Sequence, residues 1–226
     1  MKFGSITTGI IADGLVFNID PANRASTIPS TSTTTIFNTV DTSISGAFEN
    51  NTQWEGPTTA SFTFDGGDDA IILNSELDLG LNSTVSVWVK QDRPTTGESI
   101  LGNDISLKYL LHANTDALFV RIGGAYFQFG DGDTKSAYQV TTWINITFTR
   151  TSNLCKIYVN GIATEDERSP TVGTATTNTL LKSIGAETDL SYDYMGKVAN
   201  LQAYNRALSA NEVLHNYNAL KGRFGL

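Results

Sequence analysis

Hydrophobic and polar residues alternate with a period of two along most of the chain. In the stretch TVSVWVK, at positions 84–90, three valines share one face and Trp88 lies on the other. This period is typical of β-strands, in which successive side chains point to opposite faces. The same pattern recurs in LVFNID, SFTF, AIIL, LFVRI, YFQF, WINITFTR, KIYV and KVANLQAY. The alternation therefore predicts about nine or ten strands at short spacing.

Turn sequences separate the predicted strands. Asn160-Gly161 has alternating residues on both sides, which is a strong short-range signal for a hairpin. Gly123-Gly124 divides two further strands in the same way, and DGGDD, at positions 65–69, marks another reversal. Because no helical crossover lies between the strands, the order indicates an antiparallel sandwich and not βαβ units. Trp88 opposite the valines indicates a sheet that is apolar on both faces.

The alternation weakens between residues 21 and 57. This segment is rich in Ser, Thr and Asn, and its large apolar residues are scattered: Ile36, Phe37, Phe48 and Trp54. We predict a long surface excursion over residues 21–57 that those apolar side chains hold to the domain. Residues 1–13 are expected to form an N-terminal arm. Residues 14–226 are expected to form one domain, since a single all-β sandwich commonly reaches about 200–250 residues.

The C-terminal stretch SANEVLHNYNALKG follows a helical period instead. Ser209 and Glu212 have the spacing of a capping box, and Leu208 and Val213 are placed to form a hydrophobic staple. The apolar stripe is expected to contain Val213, Leu214, Tyr217 and Leu220. A helix of about a dozen residues is marginal alone, so its apolar stripe must pack on something. We predict a helix over residues 209–221 that covers an edge or face of the sandwich; docking on a partner subunit is the alternative.

Composition narrows the classes of function. Asp and Glu outnumber Lys and Arg by 23 to 15, which gives a net charge of −8. This balance argues against a nucleic-acid-binding surface, which needs clustered basic residues. No apolar run approaches the about 20 residues that cross a bilayer, and the N-terminus lacks the layout of a signal peptide. The single cysteine, Cys155, excludes an internal disulfide, and its place in an alternating strand predicts a buried thiol.

Five stretches together resemble one known family. They are GLVFNIDPAN, SFTFDGGDDAIIL, VSVWVK, KIYVNG and GKVANLQAYNRALSANEVLHNYNALKGRFGL, in that order from position 14 to the last residue. This set is similar to the laminin-G-like, concanavalin A-like jelly-roll family in its short microbial and bacteriophage form. The resemblance implies an all-β sandwich of two antiparallel sheets closed by a short C-terminal helix.

The ending NYNALKGRFGL is similar to that of phage-encoded members of the family. The resemblance implies a non-enzymatic structural protein on the virion surface, in the role of a capsid decoration, that is, a cement or head-fibre protein. Its partners would be capsid or tail proteins, and it would form a symmetric homo-oligomer around a capsid axis. The alternative is a carbohydrate-binding module of a tail or adhesion protein that recognises host surface glycans.

The family also contains glycoside hydrolases, so catalytic carboxylates have to be considered. In retaining glucanases with this fold, alternate acidic residues of one strand enter a cleft, with the two catalytic groups about 5–5.5 Å apart. The densest acidic group here, Glu165-Asp166-Glu167, is contiguous, so its members do not share one face. We therefore expect that the protein is not an enzyme.

Two sets of candidate binding residues follow from the resemblance. One structural Ca²⁺ would lie near Asp20, Gly66 and Asn200, where the neutral amide oxygen of Asn200 weakens the binding of a hard cation. Asp65, Asp68 and Asp69 are candidates to compensate for that missing charge.

Glycan binding would use exposed aromatic residues with nearby hydrogen-bonding groups. The candidates are Tyr192, Asp193 and Tyr194, which lie in a polar loop. For Tyr192 the sequence leaves a contact with a glycan and a structural role equally open. Tyr126 lies in an alternating strand, which favours a place in the core.

Overall fold

The structure is a computed structural model that describes residues 9–28, 33–56, 59–92, 97–103, 109–114, 117–130, 137–138 and 141–226. In chain order the strands are β1 (Leu15–Ile19), β2 (Thr35–Phe37), β3 (Ser45–Glu49), β4 (Gln53–Glu55), β5 (Ser61–Asp65), β6 (Ala70–Asp78), β7 (Asn82–Gln91), β8 (Glu98–Gly102), β9 (Tyr109–Ala113), β10 (Leu118–Ile122), β11 (Ala125–Phe129), β12 (Ile144–Thr151), β13 (Leu154–Val159), β14 (Ile162–Ala163), β15 (Leu180–Ile184) and β16 (Met195–Tyr204). An α-helix, α1 (Ala210–Leu220), and a 3-10 helix (Lys221–Phe224) complete the described elements.

The strands form two antiparallel sheets. The first sheet has the order β14-β13-β12-β7-β16-β5-β4, and β1 pairs with the C-terminal half of β16. The second sheet has the order β11-β10-β9-β8-β15-β6-β3-β2. The two sheets stack into a sandwich, so the predicted fold class is confirmed.

The core lies between the two sheets and is built from alternate residues of each strand. Val85, Val87 and Val89 of β7 face inward, and Ile71 and Leu73 of β6 belong to the same buried cluster. These side chains are at most 1% exposed. Their burial removes apolar surface from water, which is the main favourable contribution to folding.

Cys155 belongs to this core and is a free, buried thiol, as predicted. Burial raises the pKa of the Cys155 thiol well above its ordinary value, because the thiolate would lose its hydration. The thiol therefore stays protonated and unreactive at neutral pH.

Residues 21–57 are more regular than their sequence indicates. Three short strands lie in this segment: β2 and β3 extend the second sheet, and β4 lies at the edge of the first. Ile36 is fully buried, and the ring of Phe48 contacts that of Phe62 at 5.3 Å. The sequence does not reveal these strands, because strands of 3 to 5 residues rich in Ser and Thr carry little alternation.

The C-terminal helix begins with the predicted cap. The Ser209 hydroxyl accepts from the Glu212 amide, and the Glu212 carboxylate accepts from the Ser209 amide at 2.8 Å. Leu208 and Val213 pack in one buried cluster with Tyr158 and Tyr204, in agreement with the predicted staple. The predicted stripe was wrong at one position: Leu214 is 40% exposed, and Asn216 is buried in its place.

This helix covers the outer face of the first sheet. Trp88, which points outward from β7, stacks on Tyr217 at 5.6 Å and on Phe224 at 4.0 Å. Trp143 contacts Phe224 from the side at 5.0 Å. These contacts give the outward-facing Trp88 an apolar neighbour and fix the end of the chain on the sheet.

A network of buried hydrogen bonds joins the C-terminal helix to β16 of the first sheet. Asn216 donates to the Tyr204 hydroxyl at 2.9 Å and accepts from the backbone N–H of Ile11 at 2.8 Å. Tyr204 donates to Gln202, and Gln202 donates to Asn200 at 2.6 Å. Because buried polar groups are costly without partners, this network selects one docked position of the helix.

Candidate functional site

Four aromatic side chains form a line across the outer face of the second sheet. Tyr192, His112, Phe119 and Tyr126 follow one another with ring centroids 5.7, 6.0 and 6.1 Å apart. We call this set the aromatic row. Neighbouring rings meet edge to face, with interplanar angles of 74°, 61° and 65°, an arrangement that the ring quadrupoles favour.

Strand alternation positions three of these rings. In β10 the residues Leu118, Val120 and Ile122 are buried in the core, so Phe119 points outward. Phe119 is the register partner of His112 on β9, which places both rings on the same face. Tyr126 points outward from β11 for the same reason, between buried neighbours. The row therefore runs across β9, β10 and β11.

Tyr192 reaches the row from the loop between β15 and β16. Its carbonyl accepts from the Ser99 amide at 2.6 Å, which attaches the loop to β8. Its backbone has φ 56°, a left-handed conformation that costs a non-glycine residue on the order of 1 kcal/mol. The side chain is nevertheless 52% exposed. The loop thus places the accessible Tyr192 ring against that of His112, and the Tyr192 backbone there has a conformation that is unfavourable for a tyrosine.

His112 contributes a neutral ring to this row. It is 7% exposed, and burial lowers its pKa from 6.5 to about 4. At neutral pH the imidazole therefore carries no charge. None of the four side chains of the aromatic row therefore carries a charge at neutral pH.

Polar side chains flank the aromatic row. Arg121 is the register partner of Tyr126, and Gln128 is the register partner of Phe119. Both point outward with the row and are half-buried. A surface of aromatic rings with a few hydrogen-bonding groups is typical of sites that bind a ligand with apolar faces and polar edges.

A group of carboxylates lies in the turn between β5 and β6. Asp65, Asp68 and Asp69 can each place a ligand oxygen within 4.8 Å of the others. Asp69 accepts from the amides of Asn51 and Asp65, so it also shapes the turn. Oxygen ligands of this kind suit a hard divalent cation such as Ca²⁺.

Asp193, next to Tyr192 in the chain, adds a fourth negative charge near this turn. Its pKa is raised, first by burial of its carboxyl and then by repulsion from Asp68, Asp65 and Asp69. The loop that carries the end of the aromatic row therefore lies against an acidic turn.

The fold can be compared with known proteins at this point. The sequence model of the concanavalin A-like lectin/glucanases superfamily matches residues 65–214, which is more than half of the chain. The chain belongs to this superfamily. It is a lectin-like jelly-roll domain. No curated protein matches it.

Solved structures similar to this lectin-like domain include binding domains of botulinum neurotoxins and of a mosquitocidal protein. The binding domain of Paraclostridial Mosquitocidal Protein 1 superposes with a TM-score of 0.68 at 16% identity, covering 91% of this chain and 52% of that one. The botulinum neurotoxin serotype D ligand-binding domain, in complex with N-acetylneuraminic acid, has a TM-score of 0.66 at 16% identity, with 91% and 51% covered. The chain spans about half the length of these structures, and the likeness is one of fold.

The structure separates the three residues of the lectin-like domain that the sequence proposes for a glycan. Tyr192 is exposed and ends the aromatic row, whereas Tyr194 is fully buried and packs against Phe64 at 6.3 Å. Its side chain is therefore not accessible to a glycan. Asp193 is half-buried and faces the acidic turn. Tyr126, which the sequence favours as core, belongs to the row.

Two residues of the row, His112 and Phe119, are absent from the sequence-based candidates. The alternation of LFVRI separates Phe119 from Leu118 and Val120, so this signal was present in the sequence. The alternation does not show which face of the strand packs in the core, so it could not predict that Phe119 lies on the outer face.

Of the three residues proposed for Ca²⁺, Gly66 lies within the acidic turn, whereas Asp20 and Asn200 have their contacts elsewhere. The Asp20 carboxylate accepts from Arg223 at 2.6 Å, and the Asn200 oxygen accepts from Gln202 at 2.6 Å. Asn200 also donates to the Ile19 carbonyl, so it lies near the end of β1. Gly66 follows Asp65, which is the register partner of Met195 on β16. Met195 lies five residues before Asn200 on that strand. Asp65, Asp68 and Asp69 are thus the better candidates to hold a cation.

Proposed function

We propose that this lectin-like domain binds a glycan chain along the aromatic row. The observation that carries the proposal is the line of four rings in edge-to-face contact on the outer face of the second sheet, in which Tyr192 is exposed and Phe119 and Tyr126 are half-buried. The C–H faces of sugar rings are apolar, so they pack on aromatic rings as other apolar groups do. Sugar hydroxyls can exchange hydrogen bonds with polar groups at the edge of such a surface, where Arg121 and Gln128 lie.

Three further observations support a glycan as the ligand. His112, which is 7% exposed, places no charge among these rings at neutral pH, so the row has no charge that a neutral sugar would have to desolvate. The hydrogen bond from the Ser99 amide to the Tyr192 carbonyl attaches the loop that carries this exposed ring to β8, which lowers the ordering cost of binding. A similar toxin domain was solved in complex with N-acetylneuraminic acid, which agrees with a sugar ligand in general terms.

Substitution at Tyr192 tests the proposal. Tyr192→Asn removes the ring but keeps a residue that tolerates a left-handed backbone, whereas Tyr192→Phe keeps the ring and removes only the hydroxyl. We expect the Asn variant to bind a polysaccharide selected on a glycan array about tenfold more weakly, which corresponds to about 1.4 kcal/mol. The Phe variant should stay within about threefold of the native chain. Isothermal titration calorimetry measures both values.

The choice of variants also allows the proposal to fail. Equal binding by Tyr192→Asn and the native chain would exclude Tyr192 from the binding surface. Phe119→Ala then tests the middle of the row, and a stable Phe119→Ala variant with unchanged affinity would overturn the proposal. The thermal unfolding temperature of each variant shows whether the fold is intact.

We also propose, from the resemblance of the C-terminal sequence to phage-encoded members of the family, that the domain is displayed on a virion with capsid or tail proteins as partners. Glycan binding and virion display are compatible, since a surface module can perform both. Mass spectrometry of purified virions that encode the chain tests this proposal, and absence of the protein from those particles would contradict it.

A further inference from the structure

A cavity opens on the side of the sandwich opposite the aromatic row, on the outer face of the first sheet. Its volume is about 350 Å³. Its principal lining residues are Glu55, Thr59, Ser61, Lys90, Trp143 and Lys197. We call it the lysine pocket. It lies beside the 3-10 helix that ends the chain, because Trp143 packs against Phe224.

Two lysines meet across adjacent strands in this pocket. Lys90 of β7 and Lys197 of β16 are direct register partners, so their side chains share one face. Like charges directly opposite each other destabilise a sheet. This pairing places two positive charges side by side in a chain whose net charge is −8.

The carboxylate of Glu55 neutralises only one of the two lysines. Glu55 pairs with Lys197, and this contact is the main reason that the pKa of Glu55 is lowered; the more distant charge of Lys90 adds a smaller contribution. Lys90 forms no ion pair with any residue that the structure describes. The pocket therefore contains one positive charge that the described residues do not balance.

The walls of the lysine pocket are held in place by the surrounding fold. The ring of Trp143 contacts Phe224, which is itself stacked on Trp88. Arg223 donates to the carbonyl of Ala60 at 2.6 Å and so fixes the backbone between Thr59 and Ser61, at the start of β5. These contacts give the pocket a fixed indole on one side and hydroxyl-bearing residues on the other.

We propose that the lysine pocket binds a single anionic sugar residue, with its carboxylate or sulfate at Lys90 and its ring against Trp143. One unbalanced lysine suits one anionic group and is too little for a nucleic-acid backbone, which requires many basic contacts. The aromatic wall and the hydroxyls favour a sugar over a bare ion. This site lies on the opposite face from the aromatic row and does not depend on it.

Four small probes test the ligand class. Glucuronic acid and glucose 6-sulfate carry the anionic group on a sugar, glucose is the neutral match, and inorganic sulfate is the bare ion. We expect either anionic sugar to shift the backbone amide resonances of Lys90 and Lys197 in titrations followed by NMR. Their affinity should exceed that of glucose and of inorganic sulfate by about tenfold and should fall as salt is added.

Variants of Lys90 assign the effect to this pocket. Lys90→Gln should lower the affinity for the anionic sugar about tenfold, and Lys90→Arg should retain most of it. Lys156→Gln, which removes a lysine from β13 outside the pocket, is the matched control and should bind like the native chain. Tyr192→Asn should also leave this affinity unchanged, which separates the result from that at the aromatic row.

The outcomes that overturn the proposal are distinct. Equal affinity for glucose and glucuronic acid would show that Lys90 recognises no charge. Equal affinity for inorganic sulfate and glucose 6-sulfate would show a bare anion site without a role for the sugar ring. An unchanged affinity in a folded Lys90→Gln variant would place the binding elsewhere.

Discussion

Tyr192 combines a strained backbone with an exposed side chain. Its left-handed backbone is unfavourable for a tyrosine, yet more than half of its side chain faces solvent. Such strain persists only where the surrounding structure over-determines the conformation. Here the hydrogen bond from Ser99 to the Tyr192 carbonyl contributes to that constraint. The loop conformation therefore places this ring at the end of the aromatic row.

The neighbouring Asp193 is expected to destabilise the fold at neutral pH. A carboxyl whose pKa is raised in the folded state contributes fully below its ordinary pKa of 3.8 and loses that contribution as the pH rises through the folded value. Asp193→Asn should therefore raise the unfolding temperature at pH 7 by about 1–3 °C, and this gain should vanish near pH 3. Differential scanning calorimetry at both pH values measures the difference.

The exposed Asp166→Asn is the control, and it removes the same charge without a gain. If the acidic turn binds Ca²⁺, adding calcium should stabilise the native chain more than the Asp193→Asn variant, because the cation relieves the repulsion. An Asp193→Asn variant that is less stable than the native chain at pH 7 would contradict this account.

At the scale of elements, the C-terminal helix depends on its cap. Arg206 donates to Glu212 at 2.7 Å, and this contact and the Ser209 amide lower the pKa of Glu212 to about 2. The contribution of Glu212 is present above its ordinary pKa of 4.5 and is lost as the pH falls towards 2. The cap thus stabilises the helix across the neutral range.

Removal of the cap hydroxyl tests this contribution. Ser209→Ala should destabilise the domain by about 1 kcal/mol, because the Glu212 amide loses its partner. Ser209→Asn keeps a capping oxygen and should cost much less. Urea unfolding followed by circular dichroism compares the two variants, and equal midpoints for Ser209→Ala and the native chain would exclude a role for the cap.

The same helix shows which features a sequence can predict. The capping box and the staple are local, so the spacing of Ser209, Glu212 and Leu208 identifies them directly. The buried side of the helix is set by the sheet beneath it. Asn216 takes a buried position there because Tyr204 and Ile11 supply partners that are distant in the sequence, and this outweighs the apolar character of Leu214.

At the scale of the whole molecule, alternation was sufficient to predict strands and their stacking into a sandwich. It was not sufficient to assemble the aromatic row, since His112, Phe119 and Tyr192 lie in three separate segments of the chain. Register between β9 and β10 brings two of them together, and the loop after β15 adds the third. The lysine pocket has the same origin, because Lys90 and Lys197 are paired only by the sheet.

The two outer faces of the sandwich thus have different characters. The first sheet carries the C-terminal helix and, beside it, a pocket with positive charge. The second sheet presents a line of rings flanked by Arg121 and Gln128. If both proposed sites bind sugars, we expect one domain to hold two glycan segments, one on each face of the sandwich.

The stack of Trp88 on Phe224 makes the tryptophan fluorescence of this protein sensitive to the position of its C-terminal residues. Two of its three indoles, those of Trp88 and Trp143, contact the same phenylalanine near the end of the polypeptide. Their fluorescence emission should shift to longer wavelength when the 3-10 helix with Phe224 detaches from the sheet and water reaches the indoles. Intrinsic fluorescence thus reports, without a label, whether this helix is docked.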